Sequence, residues 1–393
     1  MAKKAEKRVV NVGLIGCGFM GKAHSFGYRN VNQMWVPPAN AVMKCIAGTE
    51  PADIVKATAE MHGWQEYETD WRKLIARKDI DLVDISTPNF VHVEMAEAAA
   101  KAGKAILCEK PLANDLAGAK AMAKAVEKAG VKAMCGFTYR QAPAVQLAKQ
   151  MIEAGELGTI YHFRAAYLQD WIMDPNFPLV WRLQKECAGS GSLGDLGAHI
   201  TDMALFLVGD IAEVSGDLKI FIRERPLLAS ESGTALTDRK GGAQKGKVTV
   251  DDAVVWCARF RSGAVGVFEA TRFAGGRKNY HTWQINGSKG SIGWNFEDMN
   301  YLEYWKDGEG AEQGYRKVLA THPQTPNWKA WWPDGHIIGY GECFVNEVKE
   351  MLAAIAEDRQ PVPSFRDGLK CQAVLEAVEQ SAGTRKWAEV PAV

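Results

Sequence analysis

A chain of 393 residues is longer than one hydrophobic core ordinarily supports, so two domains are expected. Lys+Arg and Asp+Glu both number 47, which leaves no net field to collect nucleic acid or anionic lipid and argues against either partner. No apolar run approaches the roughly 20 residues that cross a bilayer, and the run after the basic residues 1–8 is short and broken by Asn11 and Gly13, unlike a signal peptide, so a cytoplasmic location is expected. The 8 cysteines include no closely spaced zinc-type pair, and most sit inside apolar runs, as buried thiols of a reducing compartment do.

Short β-rich runs at 9–15, 41–47, 82–85, 105–108 and 131–136 alternate with helical stretches at 20–30, 51–62, 91–102 and 115–129. That alternation predicts right-handed βαβ units and a parallel sheet covered on both faces. After Phe137 the pattern changes to a helix at 142–154, a strand at 159–169 and a helix at 193–208. Strand-like runs follow at 213–223, 253–260, 264–273, 280–286, 291–296 and 301–306. The turns Arg261-Ser262-Gly263 and Gly287-Ser288-Lys289-Gly290 join neighbours as hairpins. Residues 230–247, rich in Gly, Ser, Thr and Lys, read as a surface loop, and helices at 342–357 and 365–386 close the chain.

The expected fold class is α/β followed by α+β. A dinucleotide-binding Rossmann domain should cover 1–136, and a substrate-binding and oligomerisation domain with a mostly antiparallel open sheet should cover 137–393. The open face of that sheet, expected to bear Trp256, Phe260 and Phe268, needs covering. Self-association through it, to a homodimer or homotetramer, is the expected solution.

Gly16-Cys17-Gly18-Phe19-Met20-Gly21 has G-x-G-x-x-G spacing, directly after a strand and at the start of a helix, where the motif carries weight. Gly16 permits the tight turn, Gly18 lets backbone approach a pyrophosphate over the helix N-terminus, and Gly21 lets helix and strand pack closely. Phe19 and Met20 belong to the same cofactor turn. The next strand of such a unit ordinarily ends in an acid that binds the adenosine ribose and repels a 2′-phosphate. That position is Gly48 here, followed by Thr49 and Glu50, with no Arg or Lys to welcome a phosphate. NAD is therefore the expected cofactor, NADP not being excluded, with ribose contacts from Gly48 and Thr49. The third βα corner sets Ser86, Thr87, Asn89 and His92 at the carboxyl end of a parallel strand, where ligands of open α/β sheets lie.

The following strand ends in Cys108-Glu109-Lys110-Pro111. With the glycine motif, Glu109-Lys110-Pro111 resembles the signature of the glucose–fructose oxidoreductase, inositol dehydrogenase and rhizopine-catabolism family. The resemblance covers nearly the whole chain. Gly18 to Ser25, Tyr167-Leu168-Gln169-Asp170-Trp171, and Gly194-Asp195 through Asp202-Met203 are most like members acting on anhydrosugars. Gly48 departs from the family, whose members usually carry an acid there. The resemblance implies a Rossmann domain with Glu109 and Lys110 at the cofactor, and a substrate domain containing an Asp-x-x-x-His helix.

Oxidising a carbinol needs a hydride acceptor, a base for the hydroxyl proton, and a cation or donor for the developing alkoxide. Lys110, at a strand end beside a proline, suits the last role. Asp195 and His199, at i and i+4, share one helical face, which suits a base with an anchoring carboxylate or two ligands of a metal. The sequence places no third ligand, so no metal is expected. The family resemblance implies His199 as the acid/base and Asp195 as a substrate anchor. Apolar sugar faces stack on indole rings, and of 13 tryptophans Trp171 is the expected contact, ahead of Trp181, Trp328, Trp331 and Trp332. Tyr139, Arg140, Gln169 and Arg182 are candidates for binding hydroxyls.

The expected activity is NAD(P)-dependent hydride transfer with a secondary hydroxyl of a sugar, anhydrosugar, glycoside or cyclitol. The alternative is a redox-neutral glycosidase or lyase that keeps NAD, oxidises the sugar transiently, eliminates, and reduces the product again.

Overall fold

The computed structural model describes residues 7–228, 241–308 and 310–393. The chain divides into two compact units: residues up to 113 with 117–141 and 338–368, and residues 114–116 with 142–337 and 369–393. Among the described residues no helix is long and apolar enough to cross a membrane.

The chain opens with β1 (Arg8–Ile15), α1 (Phe19–Met34), β2 (Ala39–Ala47), α2 (Ala52–His62), β3 (Glu66–Glu68) and α3 (Trp71–Ala76). It continues with β4 (Leu82–Ile85), α4 (His92–Lys101), β5 (Ala105–Glu109), α5 (Leu116–Ala129) and β6 (Ala133–Gly136). The six strands are parallel in the order β3-β2-β1-β4-β5-β6, the doubly wound order of dinucleotide-binding domains. β4 and β6 are buried at every residue, as strands between two helical layers are. Sequence periodicity anticipates neither β3 nor α3. The first is a three-residue Glu-Tyr-Glu edge strand and the second a six-residue helix started by the Asp70 side chain, both too short to show a period.

Next come α6 (Pro143–Glu153), β7 (Ile160–Leu168), α7 (Lys185–Ala188), α8 (Ala198–Leu207), β8 (Ile211–Lys219), β9 (Glu224–Leu228) and β10 (Gly241–Lys247). β11 (Ala253–Phe260), β12 (Val265–Thr271), β13 (Tyr280–Gly287), β14 (Gly290–Asn295), β15 (Tyr301–Lys306) and β16 (Arg316–Leu319) follow. The chain ends with α9 (Tyr340–Ala356), α10 (Phe365–Thr384) and β17 (Ala388–Glu389). Nine strands form one sheet in the order β16-β15-β14-β13-β7-β12-β11-β8-β17, with β7 and β12 as its parallel pair. β9 and β10 form a separate antiparallel ribbon. Of the segment expected to be a loop, 230–240 lies outside the described residues and 241–247 is β10, a strand hidden in the sequence by its Gly and Lys content.

Two other expectations need correction. Trp256, Phe260 and Phe268 are buried, Trp256 stacking on Phe268 at 4.7 Å between centroids with its edge against the Gly197 turn that leads into α8. The open face carries Val255, Val265 and Val267 instead. Both faces of β11 and β12 bear apolar side chains, so the alternation was legible and the choice of face was not. The second correction concerns α9, expected in the second domain but belonging to the first unit. There Trp35 Nε1 donates to Asn346 Oδ1 at 2.8 Å and Arg8 Nη1 to the Ile355 carbonyl at 3.1 Å. Gly27 is required by this packing, since a Cβ on it would lie 2.9 Å from the Phe344 carbonyl oxygen.

The first unit encloses a charged cluster. His24 on α1 sets Nδ1 2.8 Å from Asp84 Oδ2 and Nε2 2.9 Å from Glu109 Oε1, all three side chains being buried. Tyr28 Oη and Ser86 Oγ each donate to Asp84 at 2.8 Å, and Lys110 N donates to Glu109 Oε2 at 3.0 Å. Burial alone would lower the His24 pKa, but Asp84 and Glu109 outweigh it and hold the ring well above its usual value as an imidazolium. Glu347 of α9 is fully buried beside the cluster and the Thr138 hydroxyl. Burial pushes it up to about 8, with Glu109 and Asp84 raising it further against the opposing pull of His24.

A buried carboxyl with a raised pKa costs nothing while it is protonated in both states. Above the unfolded value it increasingly favours the unfolded chain, until the folded value is passed. Glu347→Gln should therefore stabilise the protein relative to wild type by an amount that grows between pH 5 and pH 8, by about 3–4 kcal/mol. Urea unfolding at the two pH values measures this; a difference independent of pH would contradict the assignment.

Candidate active site

The glycine turn is built for a pyrophosphate. Gly16 has φ 124°, donates its N–H to the Ala47 carbonyl at 2.8 Å, and would set a Cβ 2.7 Å from the Ser86 carbonyl oxygen. A Cβ on Gly21 would overlap the Gly16 carbonyl oxygen, so glycine there lets α1 start against β1. A Cβ on Gly18 would meet nothing within 4 Å, so this stretch of backbone is open to an approaching group. Gly18 caps α1 without a side-chain hydrogen bond and the first turn carries no acid, leaving N–H groups and the positive end of a 16-residue helix to an anion. The residues present thus fit the phosphates of a dinucleotide. Phe19 lies exposed at the turn, its ring parallel to Tyr340 at 6.4 Å, and Met20 is half-buried behind it.

Ser86, Thr87 and Asn89 follow β4, with Ser86 held by Asp84. His92, at the start of α4, is fully buried, with Nε2 3.0 Å from the Thr87 carbonyl and Nδ1 3.3 Å from the Leu112 carbonyl. Burial lowers its pKa, and the ring braces the third βα corner against the segment after Lys110 from behind. Glu109 is committed to His24, and Lys110, half-buried, begins the turn after β5 with a cis peptide to Pro111. At the end of β2, the Gly48 N–H is already bonded to the Glu68 carbonyl at 3.2 Å and Thr49 is exposed. Tyr139 is buried near Tyr340, and the buried Arg140 is 3.1 Å from Asp367, so its charge serves an internal ion pair.

In the second unit a short π-helical turn, Leu193–Gly197, carries Asp195 into α8, whose second residue is His199. The predicted uniform α-helix is therefore corrected to an α-helix entered through a π turn, a feature frequent at functional sites. Asp251 clamps the approach to this turn, accepting from Gly191 N at 2.7 Å and Leu193 N at 2.9 Å. Arg272, fully buried, lies with Nη1 3.7 Å from Asp195 Oδ2 and its guanidinium 5.7 Å from the Trp171 ring. The indole of Trp171 donates to Gln169 Oε1 at 2.9 Å, Gln169 Nε2 to Asn279 Oδ1 at 2.7 Å, and Tyr167 Oη to the same oxygen at 2.6 Å. His199 sits 5.7 Å from the Tyr167 ring, whose other neighbour, His281, stacks on it at 4.8 Å. Burial pulls His281 down to about 3, so this second histidine stays neutral. Arg182 stacks over Trp181 at 4.3 Å, and Trp328 is a buried core residue.

Within the second unit the structure thus brings together Gln169, Trp171, Asp195 and their supports. Sequence reasoning missed Arg272, Asp251, Tyr167, Asn279 and His281 here, and His24, Asp84 and Glu347 in the first unit. A signal existed for two of them, an aspartate inside the apolar strand Leu82–Ile85 and the Asp251-Asp252 pair ahead of β11.

Residues 10–137 match the oxidoreductase family with an NAD-binding Rossmann fold, and residues 145–293 match the GFO/IDH/MocA C-terminal domain. Levoglucosan dehydrogenase of Pseudarthrobacter phenanthrenivorans is 45% identical over 387 residues, 98% of this chain and 99% of that protein. Among solved structures, an oxidoreductase domain protein from Kribbella flavida superposes with a TM-score of 0.92 at 51% identity, covering 98% of this chain and 99% of its own. Levoglucosan dehydrogenase in complex with NADH and levoglucosan also gives 0.92, at 44% identity, covering 98% and 100%. The paired domains, the doubly wound sheet and this likeness agree: the chain is an NAD-binding oxidoreductase of the GFO/IDH/MocA family.

Proposed function

We propose that the chain oxidises a secondary hydroxyl of a sugar with NAD in the cytoplasm, with anhydrosugars of the levoglucosan kind as the first substrates to try. The observation that carries this reading is the 45% identity to levoglucosan dehydrogenase across 98% of the chain. Cofactor contacts are assigned to the Gly16–Gly21 turn, Ser86, Thr87, Asn89, Glu109 and Lys110.

When bound, the cofactor supplies the hydride acceptor. The work left to the protein is proton and charge management. Lys110, whose backbone is pinned through Glu109 to His24, offers an ammonium to the oxygen as it becomes an alkoxide. His199 accepts the hydroxyl proton, its ring facing Tyr167. Asp195 anchors a neighbouring hydroxyl and is itself held opposite the Arg272 guanidinium. Trp171, braced by Gln169, presents an apolar face to the sugar ring.

The exposed valines on the open sheet face support self-association, to a homodimer or homotetramer, through that surface rather than through the buried aromatics. Light scattering at micromolar concentration should give a multiple of the 43.1 kDa chain mass, and a monomer would count against it.

Lys110→Ala and His199→Ala should each lower turnover by about 10²–10⁴, the scale of a positioned acid/base, with NADH affinity little changed for His199→Ala. Levoglucosan, other sugars, glycosides and inositols should be screened by NAD-linked absorbance, and the variants assayed on the best of them. Near wild-type turnover by His199→Ala on that substrate would show that the base lies elsewhere.

A further inference from the structure

Arg225 of β9 sets a fully buried guanidinium against the loop that begins at Trp171. Its Nη2 donates to the Ile172 carbonyl at 2.5 Å, and its Nη1 to the carbonyls of Asp174 at 2.7 Å and Phe177 at 3.3 Å. Residues 172–178 contain no helix or strand, so no ladder serves these carbonyls, and a planar guanidinium supplies several donors in one fixed fork. Burial pulls the Arg225 pKa below the usual arginine value, with Asp252 and Asp174 opposing this and Arg272 adding to it. Among the described residues no carboxylate forms an ion pair with Arg225. A buried charge without such a partner is costly, and an apolar side chain of similar volume would ordinarily serve stability as well. What the arginine adds is a fixed path for the loop.

The rest of the β9–β10 ribbon acts on the same loop. Leu179 N donates to the Pro226 carbonyl at 2.7 Å. A Cβ on Gly246 of β10 would lie 2.5 Å from Leu179 Cδ2, and one on Gly241 would lie 3.3 Å from the Asn176 carbonyl oxygen, so glycines let the ribbon lie this close. Phe177 links the loop to the indole. Its ring stands edge-on to Trp171 at 5.3 Å, with the Arg225 guanidinium 5.9 Å from its centroid. Both rings pack against a buried cluster to which the loop gives Ile172, Leu179 and Val180, and the chain after β10 gives Val248 and Val250. Resting on Trp171 as the ring that meets the sugar, we infer that Arg225 is a positioning residue for it: the guanidinium fixes the loop, the loop fixes Phe177, and Phe177 holds the indole. Arg225 acts through Trp171, so its effect falls on sugar affinity and not on the proton and charge management assigned to His199 and Lys110.

Arg225→Lys keeps a charge but cannot hold three carbonyls with one planar fork. In the whole protein it should raise KM for the best sugar by about tenfold, with kcat within about twofold and NADH affinity unchanged. In a Trp171→Ala background the same substitution should change KM by less than about twofold, because residues that act through one group are not additive. Phe177→Leu leaves the Arg225 contacts to the carbonyls in place and should repeat the KM effect, which keeps the test valid if the arginine variant does not fold. Without any substrate, chymotrypsin should cut beside Trp171 or Met173 about tenfold faster in Arg225→Lys than in wild type, as a loop that opens locally does. Unchanged KM in both single variants, an equal rise in KM with and without Trp171, or a loss confined to kcat would overturn the role of Arg225. Unchanged cleavage would overturn it whatever the substrate, whereas a wild type that oxidises no sugar would overturn the functional reading on which it rests.

Discussion

His24 is the constraint on which the first unit turns. Its two ring nitrogens are taken by carboxylates from two different strands, Asp84 of β4 and Glu109 of β5, while its own backbone belongs to the helix that carries the phosphate-binding turn. One imidazolium thus joins three parts of the site that are 60 and 85 residues apart in sequence. A buried charge pair contributes little net stability, but removing one partner strands the others in low dielectric at a cost of several kcal/mol. The cluster is therefore best understood as a device for position. Glu109 holds the Lys110 amide, Asp84 holds Ser86, and both are anchored to α1, so the cofactor turn and the lysine keep one geometry.

The second unit solves a similar problem with a different set of charges. Asp251 grips two amides ahead of the π turn, and Arg272 donates to the Asp251 carbonyl at 3.2 Å while standing opposite Asp195. Both groups are buried, whereas Asp195 keeps partial exposure. Asn279 collects hydrogen bonds from Tyr167 and Gln169, which places the support of Trp171 and the ring beside His199 on one amide. In both units the groups assigned to chemistry are held by buried polar partners, whose own rotamers are fixed by burial.

What could be read from the sequence is what is local. The glycine turn, the strand that precedes it and the Asp195–His199 spacing lie within a few residues, and the structure places them as a strand, a turn and a helix start. Strand alternation in β11 and β12 was legible for the same reason, but nothing along a single strand says which apolar face meets the helices, and there the expectation was reversed. The partners of His24 and Asp195 were not legible, because an ion pair across dozens of residues leaves no periodic trace. The same holds for Glu347, which reaches the first unit only because α9 returns to it late in the chain.

The activity proposed is that of an enzyme that removes a hydride from a sugar and releases the reduced cofactor. The most direct test is stoichiometry: NADH formed per molecule of levoglucosan, or of the best sugar found, consumed under single-substrate conditions. The account predicts one NADH for each sugar oxidised, with an oxidised sugar as the accumulating product. Sugar consumed without NADH accumulation, giving a cleaved or rearranged product at its original oxidation state, would contradict it.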